Sequence, residues 1–224
     1  MAPGPTPDRL ALADGVLPAD STLGEALTSV VALMARLRRD CPWDAEQTPR
    51  SLAKHLIEET AETVDAIEAG SDADLVEELG DVLLQVVFHA EIAREEGRFD
   101  IDDVADALID KLIARHPWVF GDAQAPGDMM ATWEGAKQAA KHRASALDGI
   151  ADSLPSLARA AKTATRLRDN HADAAFAMLD EASDDEGTRL LRLVAQAVQS
   201  GVDPDQSLRD ATRAWERQVR DAGL

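Results

Sequence analysis

The chain has 224 residues, 42 acidic against 23 basic, for a formal charge of −19. A field of that sign repels duplex nucleic acid and anionic membrane surfaces, so neither is expected as a partner. Tyrosine is absent, the one cysteine excludes an internal disulfide, and helix-forming residues dominate without runs of alternating β-branched ones, which predicts an all-α protein in a reducing compartment.

Residues 1–20 are rich in proline and glycine and read as a flexible N-terminal tail. They lack the apolar segment of a signal peptide, and no later run is long enough to span a membrane, so a cytoplasmic location is expected. From Thr22 to about Arg39 the pattern predicts an amphipathic helix with Leu23, Leu27, Val30, Val31, Met34 and Leu37 on one side. Arg36, Arg38 and Arg39 complement the dipole at its C-terminus, and a role in meeting phosphate is open to them as well. Cys41-Pro-Trp-Asp44 reads as a loop because of its proline. Its Trp43 is suited to stacking on a nucleobase or to wedging two helices apart.

Helices are predicted over about Pro49–Ala69 and Asp72–Glu96, joined by a glycine stop at Gly70 and an N-cap candidate at Ser71 or Asp72. A joint this short makes them antiparallel neighbours. Glu59 and Glu62 project from one face of the first, Glu78 and Asp81 from one face of the second. On the second helix, Glu78, Asp81, Gln85 and His89 form a narrow polar strip on a helix that is otherwise apolar nearly all round, a pattern normal for a buried helix. Clustered carboxylates repel one another unless a cation joins them, and an all-oxygen donor set suits Mg²⁺, or Mn²⁺, rather than zinc. Gly80 interrupts this helix, a position that close packing or ligand approach would explain. An apolar surface of this extent also predicts a homo-oligomer, most simply a dimer.

Gly97 closes that helix and the next runs from Asp100 or Asp102 to about Ala114. Lys111 and Arg115, one turn apart, are candidates for contacting an anionic ligand or ordinary solvated basic residues near a helix end. His116-Pro-Trp-Val-Phe120 turns the chain, with Trp118 and Phe120 as packing residues. Residues 121–128 read as a linker, followed by a helix from about Met129 to Ala146 that carries Trp133, Lys137 and Lys141.

The motifs Glu58-Glu-Thr-Ala-Glu62 and Glu77-Glu-Leu-Gly-Asp81 resemble the EExxE and EELGD signature of the MazG-type nucleoside triphosphate pyrophosphohydrolases, within the all-α NTP pyrophosphatase group. Cys41-Pro-Trp-Asp-Ala-Glu-Gln-Thr48, Glu95-Glu-Gly-Arg-Phe99 and Arg115-His-Pro-Trp-Val-Phe120 extend the resemblance over roughly residues 22–122. It implies a catalytic domain over 21–122 in which Glu59, Glu62, Glu78 and Asp81 hold metal, and Glu58 is a further ligand or a base that orients water. It places Trp43 on the nucleotide side of the pocket. The implied reaction converts a (deoxy)nucleoside triphosphate and water to the monophosphate and pyrophosphate, a nucleotide-pool housekeeping activity.

Residues 123–150 then form a linker with a helix, and 151–224 contain an internal echo. Glu186-Gly-Thr-Arg-Leu-Leu-Arg-Leu-Val194 aligns with Leu79-Gly-Asp-Val-Leu-Leu-Gln-Val-Val87, which sets Thr188 opposite Asp81 and Asp185 opposite Glu78. Some MazG proteins carry two such domains in tandem, and this C-terminal part resembles a degenerate second copy without the metal site. It has no EExxE; Asp180-Glu181 is all that remains.

Other hydrolase classes lack their marks. The chain contains no His-Asp dipeptide, no Glu-x-x-His of a di-iron bundle and no GxxxxGK[ST] loop. A reading from a different class is a non-catalytic helical interaction or regulatory module whose acidic pairs are merely solvated.

Overall fold

The computed structural model describes residues 23–121, 124–125, 127 and 145–224. The expected tail, the Met129–Ala146 helix with Trp133, Lys137 and Lys141, and most of the 123–150 linker therefore lie outside the described residues. Those described form helices and no strand, as the composition predicts. In chain order they are α1 (Leu23–Asp40), α2 (Pro42–Glu46), α3 (Pro49–Ala69), α4 (Asp72–Glu95), α5 (Ile101–Arg115), α6 (Pro117–Phe120), α7 (Ser156–Asp169), α8 (Asp173–Asp180), α9 (Glu186–Gln199) and α10 (Pro204–Asp221). No helix among them is long and apolar enough to cross a membrane.

Two compact units divide the chain, Met1–Leu112 and Ile113–Leu224, with the division inside α5. In the first, α3 and α4 form a tight antiparallel hairpin and α1 crosses α4. Both hairpin helices start on reciprocal caps. Thr48 and Ser51 exchange backbone-to-hydroxyl bonds of 2.9 and 3.2 Å at α3. At α4 the Asp74 carboxylate accepts from the Ser71 N–H at 2.7 Å, while the Ser71 hydroxyl oxygen accepts from the Asp74 N–H at 3.3 Å. Gly70 allows the short joint, since a Cβ there would stand 2.8 Å from the Ala66 backbone. At the far end of α4, Gly97 takes φ +67° and the Arg98 N–H returns to the Ala93 carbonyl, the left-handed stop that glycine supplies cheaply.

The core of this unit is Met34, Leu52, Val87, Phe88 and Ile92, sealed by Val30, Val31, Leu37, Leu83, Leu84 and Ile101. Leu27, expected on the packed side of α1, is instead 53% exposed, because the core begins only a turn later at Val30. The segment Cys41–Asp44 is not a loop. Pro42 opens α2 at its first position, where the missing N–H has no intrahelical partner to lose. Pro117 opens α6 in the same way.

Burial of α4 is confined to its C-terminal half, from Gln85 to Ala93. Its N-terminal half leaves Val76 73% and Leu79 52% exposed, so the expected all-round burial is not reached within this unit. No heavy atom lies within 4 Å of where a Gly80 Cβ would stand, which removes packing among the described residues as the reason for that glycine.

In the second unit, α7 and α9 pack on Ala164, Ala195 and Val198, with Ala161, Phe176 and Leu179 at the edge. α10 lies against α7 and α9.

Candidate metal centre

The α3–α4 hairpin brings Glu59, Glu78 and Asp81 together. Each offers a carboxylate oxygen, and the three atoms lie within 4.8 Å of one another, all on half-buried side chains. Thr63 ties the helices at this level, its hydroxyl bonded to the Glu59 carbonyl at 2.7 Å and shared with the Glu78 carbonyl at 3.4 Å. Loss of solvent, and then the negative charge of Asp81, Glu62 and Glu78, push the Glu59 carboxyl above its ordinary value. Glu78 is pushed up in the same way, by loss of solvent and then by Glu62, Glu77 and Asp81. These groups are each easier to protonate because the others are charged. Oxygen donors that repel one another at this separation fit a hard divalent cation.

Glu62 is exposed and outside the trio, yet close enough to raise both Glu59 and Glu78. Glu58 points elsewhere: its carboxylate sits 3.0 Å from Nδ1 of His55, one turn earlier on α3. Trp43, on α2, is 56% exposed. Its ring meets His55 at 6.4 Å and Phe88 at 6.5 Å, both edge-on. His55 precedes Glu59 by about 6 Å of helix rise and Phe88 follows Asp81 by about 10 Å. Because the helices are antiparallel, both displacements point the same way, so Trp43 stands beyond one side of the carboxylate trio. Lys111 and Arg115 are on α5, which carries none of the trio; Lys111 is exposed, and Arg115 belongs to the second unit.

The polar strip of α4 runs from this centre into the core. Gln85 is 4% exposed with its Oε1 buried and unpartnered among the described residues, and Nε2 of His89 is likewise buried and unpartnered. Burial pushes the His89 imidazole below its ordinary value. His55 and Arg38 are the residues that sequence reasoning missed or under-read. His55 sits one turn before Glu59, a spacing that local pattern does show. Arg38 reaches Glu95 across 57 positions, which no local pattern shows.

In the second unit, the positions that the sequence comparison sets opposite Glu78 and Asp81 have other uses. Asp185, opposite Glu78, caps α9: it accepts from the Thr188 N–H at 3.0 Å and from the Thr188 hydroxyl at 2.9 Å. With the Ser183 hydroxyl bonded to it too, its carboxyl is held well below the usual carboxylate range. Arg192 bonds to Asp184 at 3.0 Å and to the Leu179, Asp180 and Ala182 carbonyls, tying the end of α8 to α9.

A helical hairpin with facing carboxylates from EExxE and ExxD defines an all-α protein with a candidate divalent-cation centre. A profile of the MazG nucleotide pyrophosphohydrolase domain matches residues 47–120, which contain the whole hairpin. An uncharacterized 26.1 kDa protein of Streptomyces cacaoi is 45% identical over 204 residues, covering 89% of this chain and 83% of that one. The nucleoside triphosphate pyrophosphohydrolase/pyrophosphatase MazG of Thermotoga maritima is 38% identical over 218 residues, 86% of this chain and 83% of its own. The Escherichia coli K12 nucleoside triphosphate pyrophosphohydrolase is 48% identical over 145 residues, and this chain spans about half of its length (55%). The chain belongs to the MazG nucleotide pyrophosphohydrolase family.

Proposed function

We propose that this chain hydrolyses nucleoside or deoxynucleoside triphosphates between the α- and β-phosphates, releasing a monophosphate and pyrophosphate, with Mg²⁺, or Mn²⁺, as the cofactor. The observation that carries this reading is the trio of Glu59, Glu78 and Asp81 converging from two helices. Membership of a hydrolase family and the names of the E. coli and T. maritima relatives support the reaction class.

Glu59, Glu78 and Asp81, with Glu62 beside them, would hold the metal. A divalent ion held there would supply positive charge to meet the triphosphate and would acidify a nearby water. Glu58, whose carboxylate is paired with His55 rather than turned to the trio, is the proposed base: it would orient the water and accept its proton as the water's oxygen bonds to phosphorus. The α–β bridge breaks and its electron pair leaves with pyrophosphate. Trp43 offers its exposed ring to the base and Lys111 serves the outer phosphates, whereas Arg115 belongs to the second unit and is given no part in this site. The same reading makes the enzyme a cytoplasmic homodimer whose partner is the nucleotide, with neither nucleic acid nor membrane bound.

Chromatography of products from dNTP or NTP with Mg²⁺ tests the cleavage site. Monophosphate and pyrophosphate are expected; a diphosphate with orthophosphate contradicts the assignment.

A further inference from the structure

Arg38 ends α1 with its side chain only 9% exposed. Its Nε and Nη2 hold Glu95 on α4, at 3.2 Å to each oxygen and 2.5 Å to Oε2 respectively. Its Nη1 is shared among the carbonyls of Asp44, Ala45 and Gln47, the latter two at 3.1 Å. These are the carbonyls that close α2, a five-residue helix. A helix this short does not persist on its own, and its last carbonyls have no intrahelical donors. Arg38 donates to the Ala45 and Gln47 carbonyls and adds a second donor at that of Asp44, which also accepts from the Gln47 N–H at 3.2 Å.

The same guanidinium lies 5.8 Å over the Phe88 ring. Phe88 is 2% exposed and meets Trp43 edge-on at 82°. Gln47 closes the loop from its other side, donating from Nε2 to the Trp43 carbonyl at 2.9 Å and accepting from the Ser51 hydroxyl at 2.8 Å. Trp43 is thus held by its backbone through Gln47, by its ring between Phe88 and His55, and through the carbonyls of α2 by Arg38.

We propose that Arg38 is a positioning residue that sets the Trp43 wall of the nucleotide pocket, so that nucleotide affinity depends on a guanidinium that touches neither metal nor substrate. This rests on the functional reading above, in which the Trp43 ring receives the base. Lysine cannot replace it. An ammonium donates from one point, whereas Arg38 reaches Glu95 through Nε and Nη2 and the α2 carbonyls through Nη1, a span that a single nitrogen does not reproduce.

The test uses the full chain with Trp118, Trp133 and Trp215 changed to Phe, leaving Trp43 as the fluorophore. It compares that background with the added changes Arg38→Lys and Trp43→Ala. Arg38→Lys is expected to raise KM for nucleotide about tenfold, the scale of one lost base–aromatic stack. It should leave kcat and the Mg²⁺ midpoint unchanged and make Trp43 more accessible to acrylamide quenching. A merely structural role would lower active fraction and kcat instead, and that result overturns the proposal. So does an unchanged KM in Arg38→Lys when Trp43→Ala raises it, or an unchanged KM in Trp43→Ala itself. Absence of turnover in the wild-type chain refutes the functional reading instead, and acrylamide quenching then decides whether Arg38 fixes the ring.

Discussion

Glu59 on α3 and Asp81 on α4 turn carboxylate oxygens to the same space, within 4.8 Å, across a hairpin whose two helices are linked there by the Thr63 hydroxyl. Like charges at this distance are unfavourable in the metal-free chain and favourable once a cation lies between them. Stability and activity therefore pull in opposite directions at this one point.

Glu59→Gln and Asp81→Asn should each abolish Mg²⁺ binding by calorimetry and lower turnover by about 100-fold or more. The metal-free melting temperature should stay the same or rise. Glu62→Gln should also remove most activity, through a weaker effect on metal affinity, because Glu62 borders the trio. Glu58→Gln should lower kcat while leaving Mg²⁺ affinity intact, since its carboxylate is engaged by His55. Near-normal turnover of Asp81→Asn at saturating Mg²⁺ would remove that residue from the ligand set.

The convergence of Glu59, Glu78 and Asp81 was legible because its signals are local. Spacing along α3 and α4, the Thr48 and Ser71 caps and the glycine at 70 fix which faces meet. α2 was hidden because a proline inside a short segment reads as loop unless its first-position role is known to be used. Arg38 looked like a helix-dipole complement, which its place at the end of α1 also satisfies. Its actual partners lie on α2 and α4, and long-range hydrogen bonds leave no periodic trace. The exposure of Val76 and Leu79 was equally unreadable, since the apolar pattern says that a face is to be covered, not by what.

The raised carboxyls give a pH signature. Glu59 and Glu78 have an ordinary value near 4.5 in the unfolded chain and a higher one when folded. Between those values the folded chain binds more protons, so the stability linked to this pair is fully present below the unfolded value. It is lost as pH rises through the folded one. In chelator, the melting temperature of the wild type should therefore fall relative to that of Glu59→Gln/Glu78→Gln as pH rises from about 4.5 towards neutrality. Mg²⁺ at pH 7 should restore the wild type and leave the double variant unmoved. Parallel pH curves for the two proteins in chelator would contradict the coupling.

Val76 and Leu79 on α4, with Ile57 and Ile67 on α3, are each more than half exposed beside the candidate centre. A second copy of the chain is the proposed cover. Light scattering should give twice the 24.1 kDa chain mass at micromolar concentration, and Leu79→Arg should shift it towards the monomer. Gly80→Ala should add about 1 kcal/mol to helix stability if nothing approaches that face. With a partner seated there, the same change should weaken the dimer instead. A wild-type chain monomeric throughout the micromolar range would leave the face without a homotypic role.

The second unit is proposed to be catalytically silent, and its chemistry argues against easy reversal. Asp185 already spends its carboxylate on the α9 cap, and Thr188 supplies two of the donors. Arg189 and Arg192 are beside them, paired to Glu186 and Asp184. Thr188→Asp would place an acidic residue at the position that the sequence comparison sets opposite Asp81. It should not restore a site, because the new carboxylate would lose the hydroxyl bond to Asp185, add a like charge to the cap and meet cationic neighbours rather than a second carboxylate helix. Its melting temperature should fall by a few degrees, with Mg²⁺ stoichiometry and turnover unchanged. Thr188→Val, which drops the hydroxyl without adding charge, should fall less. A second Mg²⁺ binding event in Thr188→Asp would show that the second unit can hold a centre of its own and would end its proposed role as a scaffold alone.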